Sequence, residues 1–166
     1  DMKFSIVLSV QPTRFAAATF KGDFEENLSH IAELGYDGVE LAIRDPAKMD
    51  ADALINLIDK YNLKVPAIGT GQAWGEENLS YTDPDPDVRQ AAIARTLSHI
   101  PFAARVDAQI IIGLLRGVVQ PGISHEQAMR WLVDALRQVT APAAEQGVRL
   151  CQIGRASCRE RVCVGV

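Results

Sequence analysis

The stretch "KFSIVLSVQPTRF", residues 3–15, decides the fold class, because its apolar half leads into a polar segment without glycine. Residues 3–10 form a short apolar run that is typical of a β-strand. Doubly wound nucleotide-binding sheets normally carry a glycine-rich turn immediately after their first strand. Here Gln11, Pro12 and Arg14 stand in that place. The first strand therefore does not lead into a nucleotide-binding turn.

Short apolar segments and helical patterns alternate along the rest of the chain. The predicted strands are residues 3–10, 38–43, 64–69, 108–113 and a fifth that begins at 148–151. The helical patterns between them begin near Phe24, Asp50, Asp87 and Ser124. This alternation predicts an α/β fold with a parallel sheet. Together with the missing glycine turn, it favours a truncated TIM (β/α)8 barrel, with the first four β/α units and the start of strand five.

Local signals predict several boundaries inside this pattern. Asp50 is a predicted helix N-cap, and Ser124 with Gln127 three residues later forms a capping-box pattern. Pro101 is expected to kink or break the third helix. Residues 70–87 show no helical or strand pattern and are predicted as a long loop, a kind of segment that often carries function.

The composition argues against two classes of partner. The 166 residues carry a net charge of −4, without the basic stripe of a nucleic-acid-binding protein. The longest apolar run, residues 108–115, is far shorter than the roughly 20 residues that span a membrane. "MKFSIVLSV" is interpreted as a strand rather than a signal peptide. We therefore expect a cytoplasmic protein that binds neither nucleic acid nor a membrane.

Two arginines directly follow predicted strands, where a barrel carries its active site. Arg44 and Arg116 each offer a planar guanidinium that binds a carboxylate or a sugar oxygen. For Arg44, a local ion pair with Asp45 is an equally good interpretation. For Arg116, the alternative is a solvated loop charge. Both are candidate substrate-binding residues.

The segment "GTGQAW", residues 69–74, supplies three more candidates. Glycines flank Thr70 and allow the backbone to approach a ligand, while Gln72 offers a hydrogen bond and Trp74 an apolar wall. A plain turn explains the same spacing equally well. Glu40 is interpreted as a buried carboxylate tied to a neighbouring strand rather than as a catalytic group.

The histidines do not point to a metal site. His30, His99 and His125 fall on predicted helices, which form the outer ring of a barrel, so we interpret them as surface or packing residues. Residues 1–152 also lack paired carboxylates and any His, Asp and Glu cluster with metal-ligand spacing. The sequence thus predicts the walls of a site without its catalytic groups.

Four motifs together resemble a known family. They are "FKGD" (20–23), "GVELAIRDP" (38–46), "AIGTGQAW" (67–74) and "IIIGLLRG" (110–117). Over residues 2–151 the chain resembles the xylose-isomerase-like TIM-barrel sugar isomerases and epimerases, most of all the ketose 3-epimerases that act on substrates such as 5-keto-L-gluconate. The resemblance implies an enzyme that acts on a small ketose or keto-sugar acid.

The same resemblance implies a divalent metal, often manganese, held by Glu, Asp, His and Glu at the ends of later strands. The metal polarises the ketose, and two glutamates move a proton through an enediolate. The family pattern places Glu-Pro at about position 152 or 153, where Gln152 and Ile153 stand here. No catalytic residue or metal ligand of the family therefore maps onto this chain, and we expect no metal in it.

Residues 153–166 differ from everything before them. "IGRASCRERV", residues 153–162, matches the conceptual translation of a common DNA-sequencing adapter, so we interpret 1–152 as the N-terminal half of the barrel domain and 153–166 as an artefact tail. A genuine basic tail that binds a partner is the alternative. The tail's three arginines and one glutamate carry +2, so the chain's −4 leaves −6 on residues 1–152, which argues further against nucleic acid.

The sequence therefore predicts a fragment of a metal-dependent sugar or keto-sugar-acid epimerase or isomerase, inactive as it stands. The alternatives are a non-catalytic carbohydrate-binding or regulatory barrel that lost the metal, and an endonuclease of the same superfamily. Half a barrel also uncovers the inner face of its sheet, with Ile6, Leu8, Val39, Ile68 and Ile111 as candidates on one side of the sheet or the other. Loss of that cover predicts a homo-oligomer or an aggregation-prone chain.

Deletion of the tail is expected to leave stability unchanged. The tail has no strand or helix periodicity and carries charges where a barrel strand needs apolar residues. A chain truncated after Gln152 should therefore melt within error of the full chain by circular dichroism. A clear drop in melting temperature would show that the tail packs against the domain.

Overall fold

The computed structural model describes residues 2–14 and 18–153, which contain five strands and five α-helices. The strands are β1 (Ser5–Ser9), β2 (Gly38–Ala42), β3 (Ala67–Gly69), β4 (Gln109–Ile112) and β5 (Leu150–Gln152). The helices are α1 (Phe24–Glu33), α2 (Ala51–Lys60), α3 (Gly71–Glu77), α4 (Pro86–Arg105) and α5 (His125–Glu145). None of the helices in these ranges is long and apolar enough to cross a membrane.

The strand order decides between the two architectures that the sequence allows. The sheet runs β1-β2-β3-β4-β5, and every neighbouring pair is parallel. A doubly wound sheet reverses its order at a switch point, where strands consecutive in the chain separate in the sheet. This sheet has no such point, because each strand pairs with the next one along the chain. The prediction of a truncated (β/α)8 barrel is confirmed.

One row of large aliphatic side chains crosses the whole sheet. Its members are in register and are Leu8, Leu41, Ile68, Ile110 and Leu150. Partners in a parallel ladder point to the same side of the sheet, so the row forms a continuous surface. The members on β1 to β4 have no exposed area.

The helices cover this row and complete the core. The buried helix residues of the cluster are Leu28 and Ile31 of α1, Ile58 of α2, Ile100, Phe102 and Ala103 of α4, and Ala143 of α5. Full burial of one such large side chain contributes roughly 1.5–3 kcal/mol to folding. The main apolar core of the chain therefore lies between the sheet and its helices.

The opposite face of the sheet carries mostly small and polar side chains. The next row in register consists of Ser9, Ala42, Gly69, Ile111 and Cys151. In this row Ile111 alone is large and apolar, and it is half-buried. We call this side the inner face, because it corresponds to the interior of a closed barrel.

The register decides which of the candidate residues Ile6, Leu8, Val39, Ile68 and Ile111 lie on that inner face. Leu8, Val39 and Ile68 lie on the helix side with no exposed area, and Ile6 packs against the same cluster. Ile111 is the one residue of the predicted set that lies on the inner face. The alternation of the side chains is clear from the sequence, but periodicity alone does not say which set faces the helices.

The segment predicted as a loop contains a helix. Residues 71–77 form α3, although Thr70 before it makes no side-chain cap and Asn78 ends it in the left-handed conformation with φ 56°. Seven residues with two glycines have little helical preference of their own, so no local pattern indicates this helix. Packing supplies the stability instead, since Ala73 is fully buried.

The predicted break at Pro101 is wrong, since α4 continues through it to Arg105. A proline in a helix interior costs about 3 kcal/mol. Ile100, Phe102 and Ala103 around it are all buried, and their packing offsets that cost. The helix begins at Pro86, where a missing N–H is tolerated because the first-turn donors have no helical partner.

Both predicted N-caps are confirmed. Asp50 accepts a hydrogen bond from the N–H of Ala53 at 2.9 Å. Ser124 accepts one from the N–H of Gln127 at 3.1 Å. Each cap satisfies a donor that has no partner within its helix.

The first strand of the sheet, β1, is paired on its outer side over part of its length. At β1, the N–H of Phe20 donates to Val7 O at 3.1 Å, and the N–H of Ser9 donates to Phe20 O at 2.9 Å. The carboxyl half of this edge is therefore already paired. At β5, pairing extends one residue beyond the strand, because the N–H of Ile153 donates to Ile112 O at 2.9 Å.

The predicted artefact tail is described only at its first residue. Ile153 continues the ladder and is half-exposed. Residues 154–166 lie outside the described residues, so the interpretation of the tail stays a prediction.

The loop after β4 is held against the segment that follows α3. Thr82 donates a hydrogen bond from its hydroxyl to Val118 O at 3.0 Å. Gly117 lies at this contact with φ +84°, and a Cβ there would be 2.0 Å from Ser80 Oγ and 2.2 Å from Thr82 Oγ1. The close approach and the left-handed backbone both require glycine.

Replacement of this glycine is expected to loosen the loop. Gly117→Ala should lower the free energy of unfolding by at least about 3 kcal/mol, because backbone strain adds to a steric clash. Gly122→Ala is the matched control, since Gly122 has φ +83° but nothing within 4 Å of the added Cβ. It should cost only about 1–2 kcal/mol. Equal losses in guanidinium titrations of the two variants would contradict the contact.

Candidate functional site

Gln11 joins the carboxyl ends of β1 and β2. Its Oε1 accepts hydrogen bonds from the N–H groups of Arg44 at 2.8 Å and Asp45 at 3.0 Å, and its Nε2 donates to Asp45 O at 2.6 Å. Gln11 is buried, so these bonds satisfy backbone groups that water does not reach. The sequence places Gln11 at this end of the barrel but does not indicate its role, because its partners lie 33 and 34 residues away.

Thr70 and Gln72, two predicted site residues, are fully enclosed. Thr70 donates from its hydroxyl to Ile111 O at 2.9 Å, which ties β3 to β4. Gln72 donates from Nε2 to Ser9 Oγ at 2.8 Å, and Ser9 in turn donates to Gln11 O at 2.6 Å. Gln72 Oε1 is buried without a hydrogen-bond partner among the described residues.

Arg44 belongs to an ion-pair network rather than to a free binding site. Its guanidinium contacts Glu76 and lies 3.5 Å from Glu77 Oε1. Arg95 of α4 lies 2.7 Å from Glu77 Oε2 and 3.7 Å from Asp45 Oδ2. Arg44 therefore pairs with Glu76 and Glu77 of α3 and not with Asp45, the partner in the alternative interpretation. Sequence reasoning missed Arg95, since it lies in the interior of a helix.

Two carboxyl groups of the network have lowered pKa values. The hydrogen bond from Thr13 lowers the pKa of Glu76, and Arg44 adds to this effect against the opposing influence of burial. Burial by itself raises the pKa of Asp45, but Arg95 and neighbouring donors outweigh it and hold the pKa below its usual value. Both groups are charged at neutral pH, so the arginines are neutralised by their own chain.

His99 packs beneath this network. Its Nδ1 lies 2.7 Å from Arg95 O and its Nε2 lies 3.0 Å from Ile43 O, with no exposed area. Burial lowers the pKa of His99, although the two carbonyl groups oppose this. The structure thus places His99 as a packing residue, which agrees with the interpretation from the sequence.

Trp74 and Arg116, the remaining predicted site residues, are half-buried. Trp74 lies on α3, whereas Arg116 lines a small cavity of about 220 Å³ with Thr82, His125 and Met129, beside the first turns of α5. Within the described part of the chain, Arg116 makes no ion pair. Substrate binding by the five residues stays a prediction.

Glu40 is the one charged side chain on the described strands of the inner face. It pairs in register with Val7 and is half-buried. Burial raises the pKa of its carboxyl group. A Cβ added at Gly69 would lie 3.5 Å from Glu40 Oε1, so the carboxyl group lies directly beside that glycine. The predicted tie to a neighbouring strand is absent, since Glu40 has no hydrogen bond or ion pair among residues 2–14 and 18–153.

The described residues do not fit a divalent metal by themselves. Across those ranges there is no group of three or more His, Cys, Asp or Glu side chains close enough to hold an ion. Asp45, Glu76 and Glu77 are near one another, but each contacts an arginine. A metal at this end of the sheet would need ligands from elsewhere.

Comparison with known proteins assigns the family. Residues 28–152 match the xylose isomerase-like TIM barrel family. The chain belongs to this family. No curated protein matches the chain.

Solved structures of similar fold agree with the family. The 3-keto-D-glucoside 4-epimerase of E. coli has 17% identity and a TM-score of 0.68 over 93% of this chain and 57% of its own. The D-psicose 3-epimerase of Clostridium cellulolyticum H10, solved with D-tagatose, has 20% identity and a TM-score of 0.67 over 93% and 53%. An AP endonuclease, family 2, from Brucella melitensis has 16% identity and a TM-score of 0.66 over 91% and 55%. The chain therefore spans just over half the length of these structures.

Removal of the Glu40 charge is expected to stabilise the chain in a pH-dependent way. A carboxyl group whose pKa is higher in the folded state than the usual 4.5 weakens folding as pH rises through the two values. Glu40→Gln should therefore raise the melting temperature at pH 7, and the gain should shrink towards pH 4.

The opposite sign is expected for Asp45→Asn, because the pKa of Asp45 is lowered. That substitution should lower the melting temperature at pH 7, and the loss should shrink in acid. Thermal melts of both variants and the parent chain at pH 4 and 7 give the comparison. The same pH trend in both variants would contradict the raised pKa of Glu40.

Proposed function

We propose that this chain is the first half of a sugar or keto-sugar-acid epimerase or isomerase that uses a divalent metal, manganese being the first candidate. Membership of the xylose isomerase-like family supports the enzyme class. Structures of similar fold include epimerases of D-psicose and of a 3-keto-D-glucoside, which supports a sugar substrate. A ketose or keto-sugar acid such as 5-keto-L-gluconate is the proposed substrate class.

The ion pairs at the carboxyl ends of the strands favour a sugar over a nucleic acid as the substrate. An endonuclease binds phosphates through free lysines and arginines. Here Arg44 and Arg95 are held by Glu76, Glu77 and Asp45, whereas Arg116 has no ion pair among the described residues. The net charge of −6 on residues 1–152 points the same way. A hydroxyl-rich sugar or sugar acid fits this end of the sheet better than a nucleic acid does.

We propose further that the metal ligands lie on strands that this chain does not contain, so the chain as it stands is inactive. The support is the lack of a ligand group among the described residues, together with coverage of 53–57% of the similar structures. A bound divalent ion would supply Lewis-acid polarisation of the substrate carbonyl. The residues of the five strand ends would supply part of the surrounding wall.

The complete protein gives the direct test of this function. It should interconvert ketose epimers, lose activity in EDTA and recover it with Mn²⁺, as followed by chromatography of the sugars. A complete protein that binds sugars without turnover would favour the non-catalytic carbohydrate-binding alternative. Cleavage of abasic DNA would favour the endonuclease and contradict the proposal.

The 166-residue chain itself is expected to show neither epimerase activity nor site-specific metal binding. Calorimetric titration with MnCl₂ should give no stoichiometric binding, because the described residues contain no ligand group. Stoichiometric binding that is abolished by Glu40→Gln or Asp45→Asn would overturn this expectation. Heats of nonspecific Mn²⁺ binding that persist in both variants would not overturn it.

A further inference from the structure

A cavity of about 550 Å³ lies at the amino ends of β1, β2 and β3, at the opposite end of the sheet from the candidate functional site. Its lining comes largely from the segments that lead into these strands. Phe4 precedes β1, Asp37 precedes β2, and Lys64 lies before β3. Cavities that bind small molecules measure about 300–1,000 Å³, so the volume suits a ligand of that size.

Hydrogen bonds hold the walls of this cavity in place. The carboxyl group of Asp37 accepts a hydrogen bond from the N–H of Phe4 at 2.9 Å, and the N–H of Asp37 donates to Phe4 O at 2.9 Å. The N–H of Lys64 donates to Asp37 O at 3.0 Å. Gly38 lets the last two segments come together, because a Cβ there would lie 2.4 Å from Lys64 O. The three segments are therefore fixed to one another by contacts within the first three β/α units.

Aromatic side chains form much of the lining. Phe4 is 55% exposed, and Tyr36 and Tyr61, which follow the ends of α1 and α2, are half-buried. The Nζ of Lys60 lies 5.2 Å from the centre of the Tyr61 ring and holds that ring as a wall. Aromatic rings pack well against the faces and edges of other rings. A planar apolar ring therefore suits this cavity.

The charged side chains of the lining add up to a positive charge. They are Lys3, Asp37 and Lys64, with a sum of +1. Lys3 Nζ lies 2.7 Å from Asp37 Oδ1, so these two charges neutralise each other. Lys64 is exposed and forms no ion pair within residues 2–14 and 18–153. Its ammonium group therefore favours an anionic group on a ligand that occupies the cavity.

We propose that this cavity binds a small planar aromatic carboxylate. The ring of the ligand lies against Phe4 and Tyr36, and its carboxylate points to the ammonium group of Lys64. Because the sugar site is assigned to the carboxyl ends of the strands, this is a second site on the same chain. It does not depend on the proposed epimerase or isomerase activity.

Titration with 2-naphthoate, and with 2-naphthamide as the uncharged analogue, tests this site. Amide chemical shifts in ¹⁵N spectra of the 166-residue chain should change at Phe4, Tyr36, Asp37 and Lys64. The dissociation constant of 2-naphthoate should be about 1 mM or lower, as expected for a ligand of this size. The amide should bind about three- to fivefold more weakly, because it lacks the attraction to Lys64.

Two variants separate the contribution of the charge from that of the ring. Lys64→Gln should weaken binding of 2-naphthoate about three- to fivefold and leave binding of 2-naphthamide unchanged. Phe4→Ala should weaken binding of both ligands about tenfold. Lys21→Gln is the matched control and should bind like the parent, because Lys21 is an exposed lysine at the opposite end of α1 from Tyr36. Circular dichroism spectra identical to those of the parent chain show that the variants fold.

The proposal is overturned if 2-naphthoate causes no shift change, or if the changes lie on the inner face of the sheet at Ala42, Gly69 and Ile111. Equal affinity for the carboxylate and the amide, or unchanged binding in Lys64→Gln, also overturns it. The complete protein should bind 2-naphthoate as tightly as the 166-residue chain does. Loss of binding in the complete protein would show that a later segment fills the cavity, and would overturn the proposal as well.

Discussion

The structure depends on one constraint, the in-register row formed by Leu8, Leu41, Ile68, Ile110 and Leu150. Because five parallel strands pair in chain order, α1, α2, α4 and α5 return over the same face and bury this row. The opposite face is contacted near the strand ends by α3, whose Gln72 bonds to Ser9. It carries small and polar side chains, so its exposure removes less apolar burial than the sequence alone suggests.

The candidate site follows from the same register. The row next to the aliphatic one places Ser9, Ala42 and Gly69 side by side, and the position two residues earlier on β2 carries Glu40. Charged groups lie outside this inner surface, where Arg44 and Arg95 attach α3 and α4 to the end of β2. The ion pairs thus shape the rim, and the described inner surface stays nearly free of charge.

The features that depend on local patterns are predictable from the sequence. Alternating apolar segments indicate the five strands, and the N-caps at Asp50 and Ser124 follow from residue type. Such local patterns do not predict contacts between residues that are far apart in the sequence. The helix α3 has two glycines and no cap, so packing alone reveals it.

The candidate site is less predictable than the fold. Thr70 and Gln72 are residue types suited to contact a ligand, but the structure encloses both side chains. Arg44 is correctly placed at a strand end, yet its partners on α3 are not visible from sequence spacing.

A comparison of two adjacent isoleucines tests the central claim most directly. Ile110 faces the helices with no exposed area, and Ile111 is half-buried on the inner face of the same strand. In guanidinium unfolding of the chain, Ile110→Ala should cost about 3–4 kcal/mol, and Ile111→Ala about 1 kcal/mol or less. Equal losses for the two variants, or a parent chain without a cooperative transition, would contradict the account.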